Sequence, residues 1–279
     1  MSRYITGGAV AALAVAACAF AASASAQTYN RLVVFGDSLS DNGNLYLISG
    51  GTQPPSPPYA RRFSNGPTFV ELLGFNAANF NGSVTSSINY AFGGSRTDAS
   101  AGVPFGMLNQ LSRYTAAGGR FNSTDLVSVL GGANDIFQGL PIAGASASPV
   151  AAITPVATTA AANIDSLVNS VAGAGAGTIL VTNLPKLSLT PQFRGTTAAP
   201  LADYAVTTFN TALQANLTAT AAARPGGNIV MMDLFKVGDT LAADPGAFGI
   251  ANIAQPCFNG TTVCSNPDSY FYFDGVHPT

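Results

Sequence analysis

Arg31-Leu32-Val33-Val34-Phe35, running into Gly36-Asp37-Ser38, is the stretch that decides the fold. A short, unbroken apolar run rich in β-branched residues and closed by glycine reads as a buried strand. Comparable runs recur at 88–92, 126–130, 178–182 and 228–233. Between them the sequence predicts a helix opened by Pro67, with Phe69, Val70, Leu72 and Leu73 on its apolar side, and helices over 107–117, 163–171 and 201–223. Strands that are continuously apolar rather than alternating, and that take turns with helices, predict an α/β domain. Its parallel sheet is expected to be covered on both faces. Pro54-Pro55-Ser56-Pro57-Pro58 reads as extended loop. The Ala-, Thr-, Ser- and Pro-rich segment 143–162 reads as a loop leading into a helix. No repeat of solenoid period is present.

In parallel α/β sheets, ligands sit beyond the carboxyl ends of the strands. Ser38, Gly93-Gly94 and Asn134 each follow a predicted strand, so they are expected to gather at one sheet edge. The chain has a single histidine, His277, in Phe273-Asp274-Gly275-Val276-His277-Pro278. An unperturbed imidazole is the side chain suited to proton transfer near neutral pH. Serine is a weak nucleophile until a base takes its proton, and His277 is the candidate base for Ser38. Asp274, three residues before it, is the candidate for holding the imidazole in the right tautomer. A helix starting just after Ser38 would aim N–H groups at the reacting atom. The N–H of Ser38, a glycine N–H from Gly93-Gly94 and the Asn134 amide are candidate oxyanion donors. Asp135 reads as a structural carboxylate. Phe63, Phe92, Phe105 and Phe137 lean towards acyl chains, with the core the preferred place for most of them.

Composition narrows the classes. Lysine and arginine total 11 against 13 aspartates and glutamates, so no basic stripe marks a nucleic-acid partner. A lone histidine and no clustered carboxylates argue against a metal-dependent hydrolase, and no cofactor is called for. Arg3, the apolar run Gly7–Ala22 of about 16 residues and Ala24-Ser25-Ala26 form the pattern of an export signal cleaved after Ala26. The run is shorter than the ~20 residues of a spanning helix. Val15-Ala16-Ala17-Cys18 gives a second, lipoprotein reading. Export, to the periplasm, cell surface or medium, leaves Cys257 and Cys264. Two cysteines with six residues between them in an oxidising compartment predict a local disulfide, with free buried thiols the alternative. Residues 27–279 then form one domain with a sizeable core.

Four blocks, taken together, resemble a known family. Phe35-Gly36-Asp37-Ser38-Leu39-Ser40-Asp41-Asn42-Gly43-Asn44 is similar to the first block of the GDSL-type, or SGNH, serine hydrolases. Asn89–Gly94 resembles the second, Gly132-Ala133-Asn134-Asp135 the third and Asp274–His277 the last, while Arg62–Gly66 matches a segment of the lipase-like branch. The resemblance implies a flavodoxin-like three-layer α/β/α fold. It also implies Ser38 as nucleophile, His277 as base, Asp274 as its partner, and Ser38, Gly94 and Asn134 as the oxyanion hole. Gly94 is preferred to Gly93 because it lies five residues after Asn89. Some relatives carry a C-terminal outer-membrane barrel, and relatives continue past the histidine with a packing helix. The sequence is therefore expected to be cut short at its C-terminus, with membrane association through the missing part. The leading expectation is an exported esterase or lipase acting on lipid or short-chain esters. A carbohydrate acetylesterase and a non-catalytic secreted binding or adhesion module on the same fold are the alternatives.

Overall fold

A computed structural model describes residues 28–224 and 226–279; the segment read as an export signal lies outside the described residues. Five strands form one sheet: β1 (Arg31–Gly36), β2 (Ile88–Asn89), β3 (Asp125–Leu130), β4 (Thr178–Thr182) and β5 (Asn228–Met232). Every pairing is parallel, in the order β2-β1-β3-β4-β5. This is the doubly wound order, whose direction reverses between β1 and β3. The crevice at that reversal opens at the carboxyl ends of these two strands. Ser38 follows β1 there, and Asn134 follows β3.

The α-helices among the described residues are α1 (Asn44–Ile48), α2 (Phe69–Leu72), α3 (Met107–Ala116), α4 (Ala133–Gly144), α5 (Pro149–Gly173), α6 (Ala199–Ala223) and α7 (Leu234–Ala243). Alternate strand residues serve opposite faces. Val33, Phe35, Val127, Val129, Ile179 and Val181 enter the larger core, against Met107, Ile136, Ile164, Leu167, Val206 and Phe209 from α3 to α6. Leu32, Val34 and Leu126 enter a smaller core with Val70 and Ala91. That second layer is thin. Towards β5 it leaves Val230 and Met232 at 41% and 37% exposure.

Several local expectations need correction. The loop expected within 143–162 is only 145–148: α4 runs to Gly144, and α5 begins at Pro149 and runs 25 residues. Its Ile153, Ala157, Ala160, Ile164, Leu167 and Val171 fall three or four apart on the buried side. Alanine is the best helix former, and Pro149 sits in the first turn, where no N–H is needed. Pro155 is carried inside the helix, while the Thr154 and Thr158 hydroxyls fold back onto the carbonyls four residues earlier. The helix after Pro67 is one turn, capped reciprocally by Thr68 and Glu71, and Leu72 is 72% exposed. The second strand is short, Ile88–Asn89: Tyr90 N–H and Phe92 N–H still donate to Val34 O and Gly36 O of β1, but the return bond is missing because Gly36 N–H goes to the Gln110 side chain.

Candidate active site

No helix begins directly after Ser38. Residues 37–41 instead form a tight turn in which Ser40 N–H and Asp41 N–H donate to Asp37 O at 3.1 and 3.0 Å. The turn is pinned from several sides. Gln110 of α3 accepts from Gly36 N–H at 2.9 Å and donates to Gly36 O at 2.8 Å. Asn89 Nδ2 donates to Ser40 O at 2.6 Å. Asp41 accepts from the N–H groups of Gly43, Asn44 and Leu45, and so caps α1. Ser38 is thereby presented at the sheet edge by a fixed backbone.

Across the crevice, Asp274 and His277 stand on one turn. Asp274 Oδ1 accepts from the N–H groups of Val276 and His277 at 2.9 and 2.8 Å. Phe273 N–H donates to His277 O at 2.8 Å, which closes the turn. The Cys257–Cys264 disulfide forms as the sequence predicts. It braces this turn, since Cys257 N–H and Phe258 N–H donate to Tyr272 O and Phe273 O. Gln192 N–H holds Gly275 O at 2.9 Å from the other side.

These two turns bring together residues 239 positions apart. His277 Nε2 lies 2.9 Å from Ser38 Oγ, and His277 Nδ1 lies 2.7 Å from Asp274 Oδ2. An ionised carboxylate only accepts, so Nδ1 carries the proton and Nε2 offers its lone pair to the serine hydroxyl. Burial opposes ionisation of Asp274, but the bond to His277, its charge and the two turn N–H groups outweigh burial and hold the carboxyl at about 2.

The candidate donors are also placed. Gly93 N–H is spent on Asp41 Oδ2 at 2.8 Å. Among the described residues, the N–H groups of Gly94 and Ser38 meet no acceptor. Gly94 has φ +81°, a backbone state that side chains strain against. Asn134, in the first turn of α4, donates one amide hydrogen to Ser95 O at 2.9 Å, leaving the second. The helix starts there because Gly132, at φ +117°, reverses the chain where a Cβ would strike the Phe209 ring. A glycine run that reads as loop thus conceals a helix N-terminus. Asp135 accepts from Thr97 N–H and Oγ1 at 3.0 and 2.9 Å, a structural tie between loops.

A cavity of about 250 Å³ opens at Ser38, Gly94, Asn134 and His277. Its walls are largely apolar: Leu39, Phe63, Phe137, Leu184 and Leu187. Phe137 stacks on Phe193 at 5.8 Å. Phe92 and Phe105 are buried core residues instead.

Burial also works against the charge of Asp37, the residue before Ser38. Burial pushes it up to about 7, against the pull of Leu39 N–H and of His277. Its ordinary value is 3.8, so the folded value is the higher one. The stability this group contributes is full below 3.8 and is lost as pH rises through 7. Asp37→Asn is expected to flatten the fall in thermal midpoint between pH 5 and pH 8, each kcal/mol recovered being worth about 2–4 °C. Parallel pH curves for the two proteins would assign the loss to another group.

A hydroxyl, an imidazole and a carboxylate in this hydrogen-bonded order form the constellation of nucleophilic acyl-transfer chemistry, recurring on unrelated folds. The chain belongs to the GDSL-like lipase/acylhydrolase family, which it matches over residues 32–279. It is 30% identical over 263 residues to the phosphatidylcholine-sterol acyltransferase of Aeromonas hydrophila, covering 91% of this chain and 73% of that protein. It is 29% identical over 321 residues to esterase EstA of Pseudomonas aeruginosa, covering 97% of this chain and 47% of EstA. The chain therefore spans about half the length of that esterase. The extracellular lipase of Streptomyces rimosus is a structural neighbour with a TM-score of 0.46 and 18% identity, over 76% of this chain and 82% of the lipase.

Proposed function

We propose that this chain is an exported carboxylic-ester hydrolase that works through an acyl-serine intermediate on esters with an apolar acyl chain. The observation that carries the proposal is the Ser38–His277–Asp274 line opening into an apolar cavity beside unspent N–H donors. Ser38 Oγ attacks the ester carbonyl as its proton passes to His277 Nε2. The oxyanion is received by Ser38 N–H, Gly94 N–H and the second Asn134 amide hydrogen, each such donor being worth about 3–4 kcal/mol in the transition state. His277 then protonates the departing alcohol. Water, deprotonated by the same imidazole, releases the acid. Asp274 stays ionised throughout and stabilises the imidazolium. Membership of a lipase/acylhydrolase family and similarity to proteins named esterase and acyltransferase support this chemistry. Export rests on the residue pattern of the first 26 positions.

A serine-directed phosphonate is expected to label Ser38, read by mass spectrometry of the peptide. On p-nitrophenyl esters, kcat/KM is expected to rise about fourfold for each methylene the cavity accepts beyond acetate. A sharp optimum at acetate would replace this substrate class with an acetylated glycan. A protein that binds glycan or cell surface without turnover, and takes no phosphonate, would be the non-catalytic module.

A further inference from the structure

Residues 59–64 form a short strap over the Asp274–His277 turn. The strap is tied to itself and to the domain. Ala60 N–H donates to Ser64 O at 2.9 Å, and the Arg62 guanidinium donates to Ala60 O at 2.9 Å and to Glu71 Oε2 at 2.7 Å. It reaches the turn in three places. The Phe63 ring lies 5.2 Å from the imidazole. Ser64 Oγ donates to Pro278 O at 3.0 Å. Tyr59 OH donates to Asp274 Oδ2 at 2.7 Å.

The third contact falls on the oxygen that His277 Nδ1 also uses. With two turn N–H groups on Oδ1, the carboxylate carries four donors, about its full complement of lone pairs. The Tyr59 hydroxyl is held there by packing, its ring lying 5.2 Å from Phe273 and 5.8 Å from Phe258, edge-on to both. Burial, then the bond to Asp274, push the Tyr59 hydroxyl above its ordinary value, so it stays a donor.

We infer that Tyr59 is a positioning residue that sets the basicity of His277 by sharing Asp274 Oδ2 with it. A hydroxyl donated to that oxygen draws off part of the negative charge that would otherwise stabilise the imidazolium. The base is thereby kept weaker than a carboxylate serving the histidine alone would make it. The charge balance is local: the titratable groups facing the imidazole are Asp274 on its own turn and Asp37 at the end of β1, with Tyr59 acting through Asp274. The inference deepens the proposed ester hydrolysis and takes its catalytic meaning from it.

Because His277 is the only histidine, its titration is readable in the intact protein from one imidazole proton in the NMR spectrum. Tyr59→Phe keeps the ring and removes the donor. Its titration midpoint is expected to rise by about half to one pH unit, from the net worth of one hydrogen bond. The acid limb of kcat/KM is expected to move up with it. Ser64→Ala loosens the strap without touching the carboxylate and is expected to leave the midpoint in place. Tyr59→Met, whose flexible side chain fills the space without a donor, repeats the test should the phenyl variant fold poorly. An unmoved midpoint in the folded variant, or an equal shift in Ser64→Ala, would overturn the inference. Absence of turnover in the wild-type protein would instead count against ester hydrolysis and leave the NMR result standing.

Discussion

Ser38→Ala is expected to lower turnover of a short p-nitrophenyl ester by about 10⁶-fold, and His277→Ala to do the same. The double variant is expected to be no worse than either. The reason is geometric. Ser38 Oγ and His277 Nε2 share one proton across 2.9 Å, so removing either end stops the same transfer. Multiplying losses would mean that the two side chains act in different steps. Residual activity of about 10³-fold over water is expected, because the Ser38 and Gly94 N–H groups and the Asn134 amide still face the carbonyl. The measurement is kcat/KM for the three variants, with urea midpoints run alongside. Neither side chain is central to the packed cores, so the midpoints should move little. Full turnover by folded Ser38→Ala would remove the nucleophile, and the acyl-serine scheme with it.

The strands β1, β3 and β4 were legible because burial on both faces writes itself as unbroken apolar runs, and Val33–Phe35 pair with β3 over their whole length, whereas β5 is apolar in sequence but half-exposed. Ser38, Asn134 and His277 were legible as residue types after predicted strands or in a turn, in a fixed order. The supports were not. Tyr59 lies 215 positions from the carboxylate it bonds, in a proline-rich loop whose path no local pattern encodes. Gln110 occupies a polar position on an amphipathic helix, where a solvent-facing reading is as natural as its contact with Gly36. Asp41 looks like part of the first motif, yet its bond to Gly93 N–H is what leaves Gly94 as the free donor. The second half of α5 was read as a helix over 163–171; its first half was hidden by its two prolines and its threonines, which as single residues favour loops. The spacing of its small apolar residues against α6, together with the helix propensity of its alanines, makes it a helix. What escaped the sequence was long-range: polar side chains choosing partners that the fold alone brings near.

Asp274→Asn carries the second large effect, about 10⁴-fold in kcat at neutral pH. The side chain receives donors on both oxygens: Val276 and His277 N–H on one, Tyr59 OH and His277 Nδ1–H on the other. Asparagine has one carbonyl and one NH₂. Placing the carbonyl against the two turn N–H groups keeps both bonds, and the NH₂ then faces Tyr59 and the imidazole. Tyr59 can turn to accept, and the imidazole can accept only by moving its proton to Nε2. That is where Ser38 must deliver its own proton, so the base is blocked while the geometry survives. The reverse placement sets the NH₂ against two N–H groups, each unmet donor costing about 1–3 kcal/mol, and loses. KM should therefore change little while kcat collapses. The same substitution removes a charge that the folded state prefers. Asp274 is held at about 2 against an ordinary 3.8, so its contribution to stability is present above 3.8 and lost as pH falls through 2. That contribution is on the order of 2 kcal/mol. Asp274→Asn should thus be less stable at pH 7 and should lose part of the acid-side slope between pH 4 and pH 2, read from urea midpoints across that window. Wild-type kcat in the variant would refute an orienting role for Asp274. An unchanged acid slope would mean that the fold does not prefer its charge.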